Sequence, residues 1–193
     1  MEGLLKVSRV IDAINSRIGK WFAWLILVAV VISAGNAIVR KVFDTSSNSW
    51  LELQWYLFST VFLLCAAWTL LANEHIRIDI VNNYFPKRMR DWIDVFGHLV
   101  FLLPFTIVMM ITGWPFFLAS LRINEQSVNA GGLTVWPAKF LVPAAFVLLF
   151  LQGISELIKR IAVMQGKIPD PYTAHQHPLE AEIEHIVEVI KKH

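Results

Sequence analysis

The sequence predicts an all-α integral membrane protein: four transmembrane helices, N-in and C-in, with an N-terminal amphipathic interfacial helix and a cytoplasmic C-terminal helix. Three observations carry that expectation. Of 193 residues, 56% are apolar and only 17% charged, against roughly 25% charged in soluble domains; a domain of this size cannot hide so much apolar surface. Four runs with little or no charge are each long enough to cross a hydrocarbon core of roughly 30 Å. Finally, Lys and Arg alternate between the intervening segments, with 4 in residues 1–20, 2 in 40–52, 4 in 73–94, 2 in 122–139 and 5 in 156–193. The positive-inside rule then places both termini in the cytoplasm. All eight tryptophans (21, 24, 50, 55, 68, 92, 114 and 136) fall within about two turns of an expected boundary, as an interfacial aromatic belt requires.

Taken in order, residues 1–20 set Leu4, Val7, Ile11, Ile14 and Ile18 on one helical face, with Lys6, Arg9, Arg17 and Lys20 off it. Such a basic amphipathic helix ahead of a span is expected in the cytoplasmic headgroup layer. A cleaved signal peptide fits poorly, because the following apolar run exceeds the usual h-region of roughly 7–15 residues. Span 1 is Trp21–Val39, nineteen uncharged residues between Lys20 and Arg40-Lys41, with Asn36 near its outer end. A polar loop over 40–52 leads to span 2, Leu53–Asn73, twenty-one uncharged residues bracketed by Glu52 and by Glu74, His75, Arg77 and Asp79. At 1.5 Å per residue span 2 is about 31 Å long.

The polar segment Glu74–Asp94 alternates Ile76, Ile78 and Ile80 with Arg77 and Asp79, then passes through Pro86-Lys87-Arg88-Met89-Arg90 into an amphipathic turn. Span 3, about 95–121, is roughly 40 Å of helix and therefore expected to tilt or protrude, with kinks at Pro104 and Pro115. Arg122–Val135 is a polar hairpin. Span 4 covers about 136–157, with sixteen uncharged residues from Phe140 to Ser155 and Lys139 snorkelling outward at its start. Residues 163–193 form a cytoplasmic linker and an amphipathic tail helix, with Leu179, Ile183, Ile186, Val187 and Ile190 as its apolar stripe and acidic residues early. That acidity suits a protein partner or self-association better than anionic lipid.

Several function classes find no footing. The net charge of +2 is small and no basic stripe interleaved with aromatics suggests nucleic acid. The lone Cys65 lies in a span and forms no internal disulfide. No span carries a mid-depth carboxylate, and there is no hydrolase, protease, metal or phosphate-loop motif, so no catalytic residue, metal or cofactor is expected. His75 and His98 near one end of spans 2 and 3 make a bis-His haem conceivable; interfacial anchoring is the simpler reading. Chemistry is expected at the edges. Ser49-x-x-Glu52 reads as a capping box for span 2, Arg122 and Glu125 suit a helical pair, and His75, Arg77 and Asp79 form a charged exit.

With these residues in view the chain resembles the small membrane subunit of tripartite ATP-independent periplasmic (TRAP) transporters, the DctQ-like family. The resemblance rests on Trp50-Leu51-Glu52, His75-Ile76-Arg77-Ile78-Asp79, Glu125-Gln126-Ser127, Gly131-Gly132, Trp136-Pro137-Ala138-Lys139, Pro143 and Lys159-Arg160, and covers about residues 15–162 of a four-span domain drawn over 21–162. It implies a fixed scaffold in the inner membrane beside a large multi-span subunit of elevator type, served by a periplasmic substrate-binding protein that delivers an organic acid (carboxylate), with sodium coupling. Glu52, Arg122, Glu125, Ser127 and Lys139 would then face the binding protein on the periplasmic side. His75, Arg77 and Asp79 would brace the large subunit or membrane lipids on the cytoplasmic side. The alternatives are a haem-bearing anchor of a redox complex and a stand-alone structural membrane protein.

Overall fold

The computed structural model describes residues 2–45, 47–72 and 86–168. The charged exit His75, Arg77 and Asp79 and the tail helix expected after Pro178 lie outside the described residues.

Helices α1 (Glu2–Ala23) and α2 (Leu25–Phe43) are separated by Trp24 alone, which is itself right-handed helical at φ −64° and ψ −21°. Trp21-Phe22-Ala23-Trp24 contains no Gly, Pro or Asn to stop a helix, so the first span follows the amphipathic segment after only a turn. At its other end α2 runs past Val39 through Arg40 and Lys41, whose positive charges suit a helix C-terminus. It stops at Asp44, which takes the left-handed conformation at φ 48°. The polar loop expected over 40–52 therefore shrinks, because α3 (Asn48–Ala72) already starts at Asn48.

After Pro86 comes α4 (Lys87–Phe96), continuous with a π-helical segment (Gly97–Leu102) and α5 (Leu103–Arg122). Where a kink is expected at Pro104, the preceding turn takes a π-helical register. Proline supplies no N–H and its ring crowds the preceding turn; the wider register relieves that crowding, and the Leu103 N–H reaches back to the His98 carbonyl. Pro115 stays inside α5. Helix α6 (Trp136–Met164) begins with Pro137 in its first turn and extends about two turns beyond Leu157. No strand forms among the described residues, and one isolated antiparallel bridge, Gln126 to Thr134, closes the α5–α6 hairpin.

Among the described residues four helical stretches are long and apolar enough to cross a membrane: Glu2–Phe43, Asn48–Ala72, Arg88–Arg122 and Trp136–Met164. Helix α6 is the hub, packed against α5, α3 and α1, whereas α2 leans chiefly on α3. The interior is the reverse of a soluble core. Its few buried apolar side chains are mostly small (Ala29, Ala67, Ala145 and Ala162 among them), and Ser8, Asn15, Thr106, Gln152, Ser155 and Glu156 are buried with them. Large apolar side chains cover the outside, where lipid tails are as apolar as leucine and only close packing and hydrogen bonds favour helix contact.

Helix α1 shows the inversion most clearly. The apolar stripe read from the sequence is not its packing face: Leu4, Val7 and Ile14 remain about half exposed, while Ser8, Asn15 and Gly19 are buried. Close approach is why position 19 is glycine, since a Cβ there would stand 2.5 Å from Trp68 Cβ on α3.

Candidate functional site

At one end of the bundle the start of α3 holds the hairpin between α5 and α6. Glu52 is only 4% exposed. Its Oε1 accepts hydrogen bonds from the Ser127 hydroxyl and from Asn129 Nδ2 at 2.8 Å, and its Oε2 accepts one from the Leu133 backbone N–H at 2.6 Å. The Ser49 hydroxyl donates to the Gly131 carbonyl, Asn48 Nδ2 to the Ala130 carbonyl at 2.9 Å, and the Tyr56 hydroxyl to the Thr134 carbonyl at 2.9 Å. Positions 48, 49, 52 and 56 share one face of α3, so about two helix turns read the whole loop. Backbone geometry makes the fit possible. Gly131 adopts φ 70°, and at Gly132 a Cβ would lie 2.5 Å from Ser127 Cβ and 2.7 Å from Glu52 Oε1.

This geometry corrects the capping box. Ser49 already lies inside α3, and both it and Glu52 turn to the hairpin instead of to the backbone at the helix start. The expected Arg122–Glu125 pair is likewise replaced. Arg122 is exposed, while Glu125 forms an ion pair with Lys139 at 2.5 Å. Lys139 does not snorkel freely; besides Glu125, its ammonium sits 4.4 Å from the centre of the Phe116 ring. The Lys139 ammonium is the largest influence holding the Glu125 carboxyl below its ordinary range. Thus Glu52, Ser127, Glu125 and Lys139 meet at one end of the molecule, and Arg122 stands apart from their contacts.

A second polar cluster at the opposite end joins α1, α6 and α4. Asp12 Oδ1 accepts from Gln152 Nε2 at 2.9 Å and from the Ser155 hydroxyl at 2.7 Å, and its Oδ2 meets Lys159 Nζ at 3.1 Å. Lys159 also pairs with Glu156 at 2.6 Å, and Asn15 Nδ2 donates to Gln152 Oε1 at 2.7 Å. Ser8 and Ser155 share a hydroxyl–hydroxyl bond of 2.7 Å. Next to them Arg160 grips both Asp91 (3.0 Å) and Asp94 (2.5 Å) of α4. Of this set the sequence singles out only Lys159 and Arg160, through the family resemblance. A periodic signal for the others is nonetheless present: Ser8, Asp12, Asn15 and Gly19 are spaced 4, 3 and 4 apart, and Gln152, Ser155, Glu156 and Lys159 share one face of α6.

Each cluster satisfies its own charges. His98, considered as a haem ligand, places Nδ1 2.7 Å from the Asp94 carbonyl, and its proposed partner His75 lies outside the described residues. Among the described residues no group of three or more His, Cys, Asp and Glu is placed to hold a metal ion.

Among the described residues, four helical stretches apolar enough to cross a membrane, tied together by two polar clusters, define the helical frame of a multi-pass membrane protein. Comparison with family models identifies the frame: residues 28–163 match the family described as tripartite ATP-independent periplasmic transporters, DctQ component. The match covers well over half of the chain, and the chain belongs to this family of transporter components, which is not a family of enzymes. A comparison with curated proteins found no match.

Proposed function

We propose that this chain is the small scaffold subunit of a binding-protein-dependent secondary transporter that imports an organic acid, driven by sodium. In this reading it sits in the bacterial inner membrane with both termini in the cytoplasm, beside a large elevator-type subunit, and a periplasmic binding protein docks at the Glu52–hairpin end. Family membership carries the proposal. What supports the scaffold role is that both polar clusters are engaged in holding helices together, so that among the described residues the carboxylates of these clusters are already partnered. The haem-anchor alternative is not favoured by a transporter family.

The test is reconstitution. The chain, a large multi-span subunit and a substrate-binding protein of the same transporter class are placed together in proteoliposomes. Uptake of a labelled carboxylate should require all three components and an inward sodium gradient. Uptake that proceeds undiminished without this chain rejects the scaffold role, and uptake indifferent to sodium rejects the coupling.

A further inference from the structure

Between α2 and α3, at the hairpin end, lies a cavity of about 570 Å³ lined by Asn36, Arg40 and Lys41 of α2, by Asp44 just past its end, and by Leu51 and Gln54 of α3. Arg40, Lys41 and Asp44 are exposed, and among the described residues none of their side chains has an ion pair to occupy it. Asn36 also lines a second cavity of about 390 Å³, walled by Val31, Ile32, Gly35 and Val39 with Trp50 of α3. The two cavities differ in kind: the first carries charges of both signs, and apart from Asn36 the second is apolar.

Their depths differ in the same sense. Arg40 is the first charge after span 1, so the polar cavity sits at the headgroup boundary. Val31 lies nine residues earlier, about 13 Å deeper along the helix. A charged mouth opening beside an apolar groove that descends into the hydrocarbon matches the shape of one class of ligand. We propose that the α2–α3 edge binds a phospholipid with an ethanolamine headgroup, phosphate against Arg40 and Lys41, ammonium against Asp44, and an acyl chain along Gly35. Two cations alone would suit any phosphodiester lipid; Asp44 at the same mouth selects one that carries its own positive charge. Guanidinium and ammonium on neighbouring residues hold a phosphate from two sides. Gly35 keeps the groove open, since nothing lies within 4 Å of where its Cβ would be.

Native mass spectrometry of the full chain in detergent tests this, with palmitoyl-oleoyl phosphatidylethanolamine and phosphatidylglycerol supplied in equal amounts. The wild type should retain a single phosphatidylethanolamine in preference to phosphatidylglycerol. Arg40→Gln with Lys41→Gln should lower retention of both lipids about tenfold, the scale of losing charge-assisted hydrogen bonds. Asp44→Asn should erase the preference while keeping phosphate binding. Gly35→Leu fills the groove without a clash and should abolish retention of both, whereas Gly3→Leu, equally free of neighbours, should change nothing. Retention by Gly35→Leu equal to that of wild type overturns the site, and lack of discrimination between the two lipids overturns the ethanolamine assignment. Retention unchanged in Gly35→Leu while a co-expressed large subunit no longer co-purifies shows the groove to be a protein interface, and rejects the proposal.

Discussion

At the scale of the residue, Glu52 and Glu125 are both carboxylates at one end of the bundle, yet they do different work. Glu52 is an acceptor for three donors, so replacing it by Gln sets an N–H₂ group against groups that also donate. Glu52→Gln should leave insertion intact but speed amide exchange at Leu133 about tenfold, and lower uptake in the reconstituted system; wild-type exchange would mean that the carboxylate does not hold the hairpin. Glu125 is held by charge. Because Lys139 depresses its folded-state pKa, the stabilisation is present above the ordinary carboxylate value of 4.5 and is lost as pH falls through the lower folded value. Thermal stability should therefore drop between neutral pH and strong acid, and Glu125→Gln should flatten part of that drop. A mutant whose pH profile superimposes on the wild type would mean the pair contributes nothing. That Glu52, Glu125, Ser127 and Lys139 matter is legible in the sequence; their partners are not. Helical spacing favours Arg122 for Glu125, and Lys139 prevails because the hairpin brings it near across fourteen residues.

Among the elements, α1 shows best what periodicity leaves open. Periodicity locates it and its apolar stripe correctly, but in a membrane the apolar stripe is the lipid-facing one, and the polar seam beside it seeks protein. Two substitutions probe the seam. Lys159→Met leaves Asp12 and Glu156 together without their shared cation and should lower stability, since a partly buried carboxylate pair is left uncompensated. Restoring neutrality with Asp12→Asn and Glu156→Gln in the same chain should recover part of it. Gly19→Leu drives a side chain into Trp68 and should cost about 1–3 kcal/mol as overpacking. Both are read as shifts in detergent-micelle melting, and a melting temperature indifferent to either change would separate α1 from the frame. The π segment is beyond sequence reading in its form: Pro104 announces a disturbance, and which register absorbs it depends on the whole helix.

For the molecule as a whole, span number and approximate limits are legible because bilayer thickness sets a length scale that composition must meet. Boundaries shift where charged residues continue a helix past the hydrocarbon, as Arg40-Lys41 do at the end of α2 and Lys159-Arg160 within α6. The proposed N-in, C-in arrangement is open to direct measurement. In a Cys65→Ala background, Val128→Cys at the fully exposed hairpin tip should react with an impermeant maleimide in spheroplasts, and Val10→Cys should react only after the membrane is opened. The opposite pattern would invert the topology. The charged exit belongs to this scale too. If Arg77 and Asp79 brace a large subunit, alanine at either position should reduce co-purification or its survival on heating, and an unchanged complex would remove them from that role.

The seam between α1 and α6 also sets a schedule. Asp12 and Lys159 stand 147 positions apart, so the ribosome releases the first partner long before the last exists. Throughout insertion the N-terminal helix must wait with its carboxylate, asparagine and serine unmatched, tolerable only while they remain at the wet margin of the bilayer. Completion of the fourth span is then the event that draws α1 home. A chain stalled or cut before Gln152 should carry a loose N-terminal helix open to proteases, which gives a membrane quality-control system a simple mark of an unfinished subunit.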